Sequence, residues 1–162
     1  MEQIYQKYSK IVYKYLLSLT NNKEVSEELM QETFYSAIKN IHKFRQECSV
    51  KTWLCKIAKN KWIDYYKRIK KKNEINIDEI NEKLLFEYSF EDNYENKEQV
   101  IDLYKKIHKL DEKTREVIYL RIRSEFSFKE IGAIVGKSEE WARITFYRAK
   151  LKLKEEFDNE KK

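Results

Sequence analysis

The chain has 162 residues, with 34 Lys and Arg against 28 Asp and Glu, a formal net charge of +6 and a pI near 9.1. Two Gly and no Pro exclude an all-β fold, which needs many tight turns, and a Gly-rich phosphate loop. No apolar stretch approaches the roughly 18 residues of a membrane span, and the first residues, MEQIYQKYSK, lack the apolar run of a signal peptide. These features read as a cytoplasmic, all-α chain of one ordinary or two small domains.

The charge is unevenly spread. Residues 1–73 hold 16 basic and 7 acidic side chains (net +9), residues 74–99 hold 2 and 9 (net −7), and residues 100–162 hold 16 and 12 (net +4). Two basic blocks around an acidic stretch read as two helical domains, 1–72 and 100–162, joined by an acidic linker over 73–99. The linker has scattered apolar residues but no sustained helical stripe.

In the first block, Ile4, Tyr8, Ile11, Val12, Tyr15, Leu16 and Leu19 recur at helical spacing and predict a helix of about five turns, stopped by Asn21-Asn22. Ser26 is placed as the N-cap of a second helix, with Glu27 and Glu28 favoured in its first turn by the helix dipole. Its inner face is Leu29, Thr33, Ala37 and Ile41, with Phe34 and Ile38 beside them. Glu28, Gln31, Glu32 and Tyr35 face away. A third helix is predicted from about Val50 to Arg68, with Val50, Trp53, Leu54, Ile57 and Ala58 inward.

Lys51, Lys56, Lys59, Lys61, Lys67 and Arg68 line the rest of that helix, among Trp62, Tyr65, Tyr66 and the upstream Phe44. Cations track a phosphate backbone and aromatic faces accept unstacked bases, at about 1–3 kcal/mol per base. The pattern suits single-stranded nucleic acid or a duplex being opened. A basic solvated face over a core aromatic cluster gives the same pattern. Cys48 and Cys55, on one helix, would have Cα atoms about 10 Å apart, too far for a disulfide. They are read as reduced thiols, since His42 and His108 stand at no metal-ligand spacing.

In the second block, Val100, Ile101, Tyr104, Ile107 and Leu110 form a stripe. Asp111 caps a following helix that buries Val117, Ile118, Leu120 and Ile122. Ser127 and Glu130 make an S-x-x-E capping box for a short helix from Phe128 to Val135. Gly136 ends it as a left-handed residue, and Ser138 caps a last helix to about Phe157. Gly132 is small where two helices approach, and Ala142 packs the last helix on the one before. Two capped helices with this spacing predict a helix-turn-helix. Its second helix would turn Glu139, Glu140, Arg143, Tyr147 and Lys150 to the major groove, with Thr145 and Arg148 on the flanks. Lys137 and the backbone near Ser138 suit phosphates. Trp141 fits either the core or a backbone contact.

Four segments in this order resemble the extracytoplasmic-function class of bacterial RNA polymerase sigma factors. Ser26-Glu-Glu-Leu-Met-Gln-Glu-Thr-Phe34 is similar to the D-x-x-Q-E-x-F core-binding helix. Phe44-Arg45 followed by Thr52-Trp-Leu-Cys-Lys-Ile-Ala-Lys-Asn60 is similar to the F-R…T-W-L-x-x-I-A-x-N melting segment. Leu110 to Val117 is similar to L-x-x-x-x-R-x-V. Ser127 through Arg148-Ala149-Lys150 is similar to S-x-x-E-I-A…R-A-R.

The resemblance implies a non-enzymatic initiation factor without cofactor, metal or small-molecule substrate. Glu28, Gln31 and Glu32 would face the polymerase clamp coiled coil. Phe44, Arg45, Ser49, Lys51, Lys56, Lys59 and Asn60 would hold −10 DNA with a flipped base, and Trp53 would support that loop from the core. Lys137, Ser138, Glu140, Trp141, Arg143, Thr145, Tyr147, Arg148 and Lys150 would read the −35 element, beside a contact with the polymerase flap. The linker of such proteins threads toward the active-site channel, where its negative charge would mimic RNA. Members are usually held inactive by an anti-sigma factor, often membrane-bound; Trp141-Ala-Arg-Ile-Thr-Phe-Tyr-Arg-Ala-Lys150 resembles a subgroup of low-GC Gram-positive bacteria that is often tied to envelope stress.

The chain departs from the family at Gln46-Glu47, where many members have Gly-Asp or Gly-Glu. It departs again at Trp141-Ala-Arg-Ile-Thr145, which replaces T-V-K-S-R. The competing reading is an autonomous helix-turn-helix repressor or activator with residues 1–73 as effector or dimer domain. An enzyme finds no Ser/His/Asp set, metal cluster or nucleotide loop.

Overall fold

A computed structural model describes residues 1–72 and 97–162. They form seven α-helices: α1 (Glu2–Thr20), α2 (Lys23–Asn40), α3 (Val50–Lys72), α4 (Lys97–His108), α5 (Glu112–Ser124), α6 (Phe128–Val135) and α7 (Glu139–Glu160), with one 3₁₀ turn at Ile41–Lys43. The expectations for 73–96 lie outside the described residues. Residues 97–99, assigned to the linker, belong to α4.

The Asn21-Asn22 pair makes the first corner. Asn21 takes the left-handed conformation (φ 49°) and closes α1, its N–H donating to Leu17 O. Asn22, not Ser26, caps α2: it is extended, and its side chain accepts the Val25 N–H at 3.0 Å. Ser26 sits one turn further in, fully buried, where its hydroxyl meets Thr20 Oγ1 (2.6 Å) and Asn22 O (2.7 Å). The first-turn acid is therefore Glu24, and Glu27 and Glu28 fall in the next turn.

α2 buries Leu29, Thr33, Phe34 and Ala37 against α1 and α3. Ile38 and Ile41, expected inside, are 52% and 41% exposed. Ile38 follows Gln31 and Tyr35 at helical spacing, on a face that no described helix covers. α3 runs to Lys72 and buries Thr52, Leu54, Cys55, Ala58, Trp62 and Ile69. Val50, Trp53 and Ile57 are only half-buried. The expected single stripe fails because α3 is packed from two directions, by α1 and α2 and by α6.

The distal block follows the predicted caps. Asp111 accepts the Thr114 N–H (3.0 Å), both arms of the Ser127–Glu130 capping box form, Gly136 has φ 73°, and Ser138 accepts the Trp141 N–H (3.0 Å). Each such cap contributes about 1 kcal/mol. Tyr104, Ile107, Val117, Ile118 and Leu120 are buried. Ile122, expected with them, is 47% exposed at the rim of an apolar groove between α4 and α5.

The two blocks share their core. Val12, Leu16, Leu54 and Ala58 of the first pack in one cluster with Val117, Leu120, Phe126, Phe128 and Ile131 of the second. Leu17 joins Tyr104, Ile118, Tyr119 and Leu153 in another. The contact runs through α3 on α6 and α1 on α5.

Candidate nucleic-acid and polymerase interfaces

The loop between α2 and α3 is set by three local features. Gln46 adopts φ 56°, a left-handed conformation that costs a non-Gly residue about 1–2 kcal/mol. Phe44 lies on Trp53, ring centroids 4.8 Å apart, so Trp53 buttresses the loop. Ser49 starts α3, its hydroxyl accepting the Thr52 N–H at 3.1 Å. Arg45, Gln46 and Glu47 are exposed at the tip, and Lys56 and Asn60 are exposed one turn apart on α3. Trp62 departs from the predicted stacking face. It is 4% exposed, with the half-buried Tyr65 and Tyr66 against it at 6.0 and 5.5 Å. The aromatic cluster packs on the core, and Lys56, Lys67 and Arg68 are exposed around it.

Three residues of that predicted face are engaged by the distal block. Lys59 Nζ reaches Glu116 Oε2 at 2.8 Å, and Tyr15 Oη donates to the other carboxylate oxygen. The Glu116 side chain is only 2% exposed. Burial, then the Glu116 charge, pushes the Tyr15 phenol well above its ordinary pKa. Ser49 and Thr52 hydroxyls donate to Glu130 Oε1 (3.2 and 3.1 Å), while Glu130 Oε2 accepts the Ser127 N–H at 2.8 Å. Burial pushes the Glu130 carboxyl up, but the Ser127 and Thr52 hydrogen bonds and the Lys51 charge outweigh it and hold its pKa below the ordinary value. Lys51 Nζ donates to Ser124 O (3.0 Å) and stands 4.1 Å from the Phe126 ring centroid.

On α2, Glu28, Gln31 and Tyr35 are exposed, and Glu32 lies 3.9 Å from Lys61. Tyr35, expected to face away, and Ile38, expected beside the inner face, are both exposed and give this acidic face an apolar component. On the distal block, α6 and α7 form the helix-turn-helix. Gly132 is tightly enclosed there: a Cβ would fall 2.7 Å from Lys137 O. Lys137, Ser138, Glu139, Glu140, Arg143, Tyr147, Arg148 and Lys150 are exposed, while Thr145 and Trp141 are half-buried. Arg143 pairs with Glu139 at 3.0 Å and lies over the Phe128 ring at 5.6 Å. Trp141 packs against the core with Lys137 Nζ 5.8 Å from its ring.

Residues 4–72 match Sigma-70 region 2, and residues 107–155 match Sigma-70, region 4. The chain belongs to the sigma-70 family. It is 42% identical over 80 residues to the ECF RNA polymerase sigma factor SigM of Bacillus subtilis (strain 168), covering 49% of this chain and 48% of that protein. It is 34% identical over 68 residues to the RNA polymerase sigma factor YlaC of the same organism, covering 42% and 39%. The chain thus aligns with less than half the length of these curated relatives.

Among solved structures it shares its fold with sigma factor RpoE of Bartonella quintana, crystallised with the anti-sigma factor NepR. The TM-score is 0.73 at 22% identity, covering 95% of this chain and 94% of that one. It also shares its fold with CnrH, solved in complex with the cytosolic domain of CnrY, at TM-score 0.67 and 20% identity over 98% and 87%. Region 2 is therefore α1–α3, and region 4 centres on the helix-turn-helix. Among the described residues no helix is long and apolar enough to cross a membrane, and no three His, Cys, Asp or Glu residues are grouped to hold a metal.

Sequence reasoning missed Glu116 and the second role of Glu130. A signal for Glu116 existed: it stands four residues before Leu120, on the apolar stripe of α5, where a charge needs a partner.

Proposed function

We propose that this chain is a promoter-specificity subunit of RNA polymerase, without catalytic activity of its own. Region 2 would dock on the clamp coiled coil through Glu28, Gln31 and Glu32, with Tyr35 and Ile38 adding apolar contact. Phe44, Arg45, Ser49, Lys51, Lys56, Lys59 and Asn60 would hold the −10 strand, with a base extruded beside Asn60. Region 4 would read the −35 duplex. Arg143 and Arg148 suit guanine edges, Lys137, Ser138 and Lys150 suit phosphates, and Glu140, Trp141, Thr145 and Tyr147 complete the contact face beside the polymerase flap. Control by an anti-sigma factor that keeps the cytoplasmic chain at the membrane, within a stress response, is part of this reading. The anti-sigma part of this reading is supported by proteins of the same fold, RpoE in complex with the anti-sigma factor NepR and CnrH in complex with the cytosolic domain of CnrY. The acidic linker would enter the active-site channel.

The observation carrying the proposal is the joint presence of both sigma-70 regions with a capped helix-turn-helix whose outer face is basic and exposed. Run-off transcription with core polymerase tests it. Initiation at a discrete site only when this chain is added is expected. Tight occupancy of a duplex operator by the chain alone, with no effect on core enzyme, would refute it in favour of a repressor.

A further inference from the structure

The start of α7 carries a pre-formed contact beside the residues assigned to the −35 duplex. Glu139, the first residue of the helix, accepts from Arg143 Nη2 at 3.0 Å, and both side chains are half-exposed. An exposed pair one helical turn apart adds little stability, so its main effect is on where the guanidinium points. A second constraint comes from α6. The buried ring of Phe128 has the Arg143 guanidinium 5.6 Å and the Arg121 guanidinium 4.4 Å from its centroid. Arg121 is itself tied to Phe126 O at 2.9 Å. Phe146 and Tyr147 close on the same ring at 5.6 and 6.0 Å. Arg143 therefore stands between a carboxylate of its own helix and an aromatic ring from the other helix of the motif.

We propose that Glu139 is a specificity-determining residue of region 4, with Phe128 as a positioning residue: Arg143, held by both, takes a guanine, and the second oxygen of Glu139 accepts from a cytosine amino group in the adjoining base pair. The proposal rests on the function given above and names the sequence that its −35 site takes. The two polar heads are 3.0 Å apart, close to the roughly 3.4 Å rise between neighbouring bases. Arg143 has N–H groups beyond the one engaged by Glu139, enough to meet guanine O6 and N7. Cytosine presents an amino donor in the major groove. Adenine sets the N7 acceptor beside its amino group, and guanine and thymine present acceptors. A carboxylate is repelled by those acceptors and by phosphates, so Glu139 admits cytosine and disfavours the other bases. Such a repulsive element sharpens discrimination by weakening the wrong complexes.

The test is selection from a library of randomised double-stranded DNA by holoenzyme carrying wild type, Glu139→Gln, Arg143→Ala or Phe128→Leu. Arg143→Ala marks the position read by the guanidinium, where it should lose the guanine preference. At a neighbouring position wild type should prefer cytosine roughly tenfold. Glu139→Gln should move that preference to adenine, because an amide donates to N7 while accepting from the amino group. Phe128→Leu should blunt discrimination several-fold at these two positions and leave the others unchanged. If Phe128→Leu fails to fold by circular dichroism, the half-exposed Glu139→Gln decides alone. A cytosine preference untouched by Glu139→Gln, or no cytosine beside the guanine, would overturn the proposal. So would a loss of affinity uniform over all sequences, which a merely structural role at the helix start would give. If wild-type holoenzyme enriches no sequence at all, the function proposed above falls and takes this reading with it.

Discussion

Substituting Gly132 by Ala tests the helix-turn-helix geometry at its tightest point. The added Cβ would lie 2.7 Å from Lys137 O and 2.9 Å from both C and O of Ser138. Ordinary heavy-atom contacts lie near 3.5–4.0 Å, so the turn must retreat by at least about 0.8 Å. All three atoms are backbone, in a turn held by the Lys137 N–H to Gly132 O bond (2.8 Å), the left-handed Gly136 and the Ser138 cap. Overpacking against such neighbours costs about 1–3 kcal/mol. Alanine regains about 0.8–1.0 kcal/mol of helix propensity over glycine. The net is a loss of about 1 kcal/mol, or a fall in Tm of about 2–4 °C for a chain of this size.

Gly136→Ala is the control. Nothing lies within 4 Å of its Cβ position, but φ is +73°, so its cost is local strain of similar size. The discriminating assay is binding of holoenzyme to a −35 duplex. Gly132→Ala shifts α6 against α7 and should weaken binding, whereas Gly136→Ala should not. A Gly132→Ala protein with wild-type Tm and undiminished duplex binding would refute the packing argument.

Arg143→Ala should cost about 1–3 kcal/mol at one −35 position; binding to a panel of single-base variants checks this, and a loss uniform across sequences would mark a phosphate contact instead. Asn60→Ala should impair strand opening more than initial promoter binding, and permanganate reactivity of −10 thymines reads it. Burial pushes the Cys55 thiol up to about 12, so at neutral pH it is protonated as well as inaccessible. Alkylation of the native chain should modify Cys48 first and reach Cys55 only on opening or unfolding, as peptide mapping would reveal. Glu130 has its pKa held below the ordinary value, so its stabilisation is complete above about pH 4.5 and is lost as pH falls through the depressed pKa. Thermal melts between about pH 5 and pH 3 should drop more steeply for wild type than for Glu130→Gln.

Local chemistry explains what was legible beforehand. Asp111, Ser127, Glu130, Gly136 and Ser138 each act within four residues of themselves, so spacing alone located four helix ends. Asn22 was misread because Asn21-Asn22 serves two helices at once, a C-cap and an N-cap back to back. That left Ser26, a residue of ordinary capping type, to be taken for the start. Periodicity found the main stripe of α1 but not Leu17, which is buried off that stripe against the distal block. It failed for α3, where burial from two sides puts Thr52, Cys55 and Trp62 inside along with Leu54 and Ala58. Gln46 shows the limit of composition: a glycine-like backbone is present without glycine.

The contact between the regions was illegible for a different reason. Lysines on a basic helix look the same whether they await phosphate or grip a carboxylate, since both anions offer the same acceptor oxygens. What separates the two uses is solvent. The Lys59–Glu116 pair is buried, at 16% and 2% side-chain exposure, so it is weakly screened by salt. Contacts with a DNA strand release counterions and weaken steeply as salt rises. Salt therefore separates the two uses: the Lys59–Glu116 pair and the largely apolar contact around it should persist as ionic strength rises, whereas a lysine bound to phosphate should lose its partner.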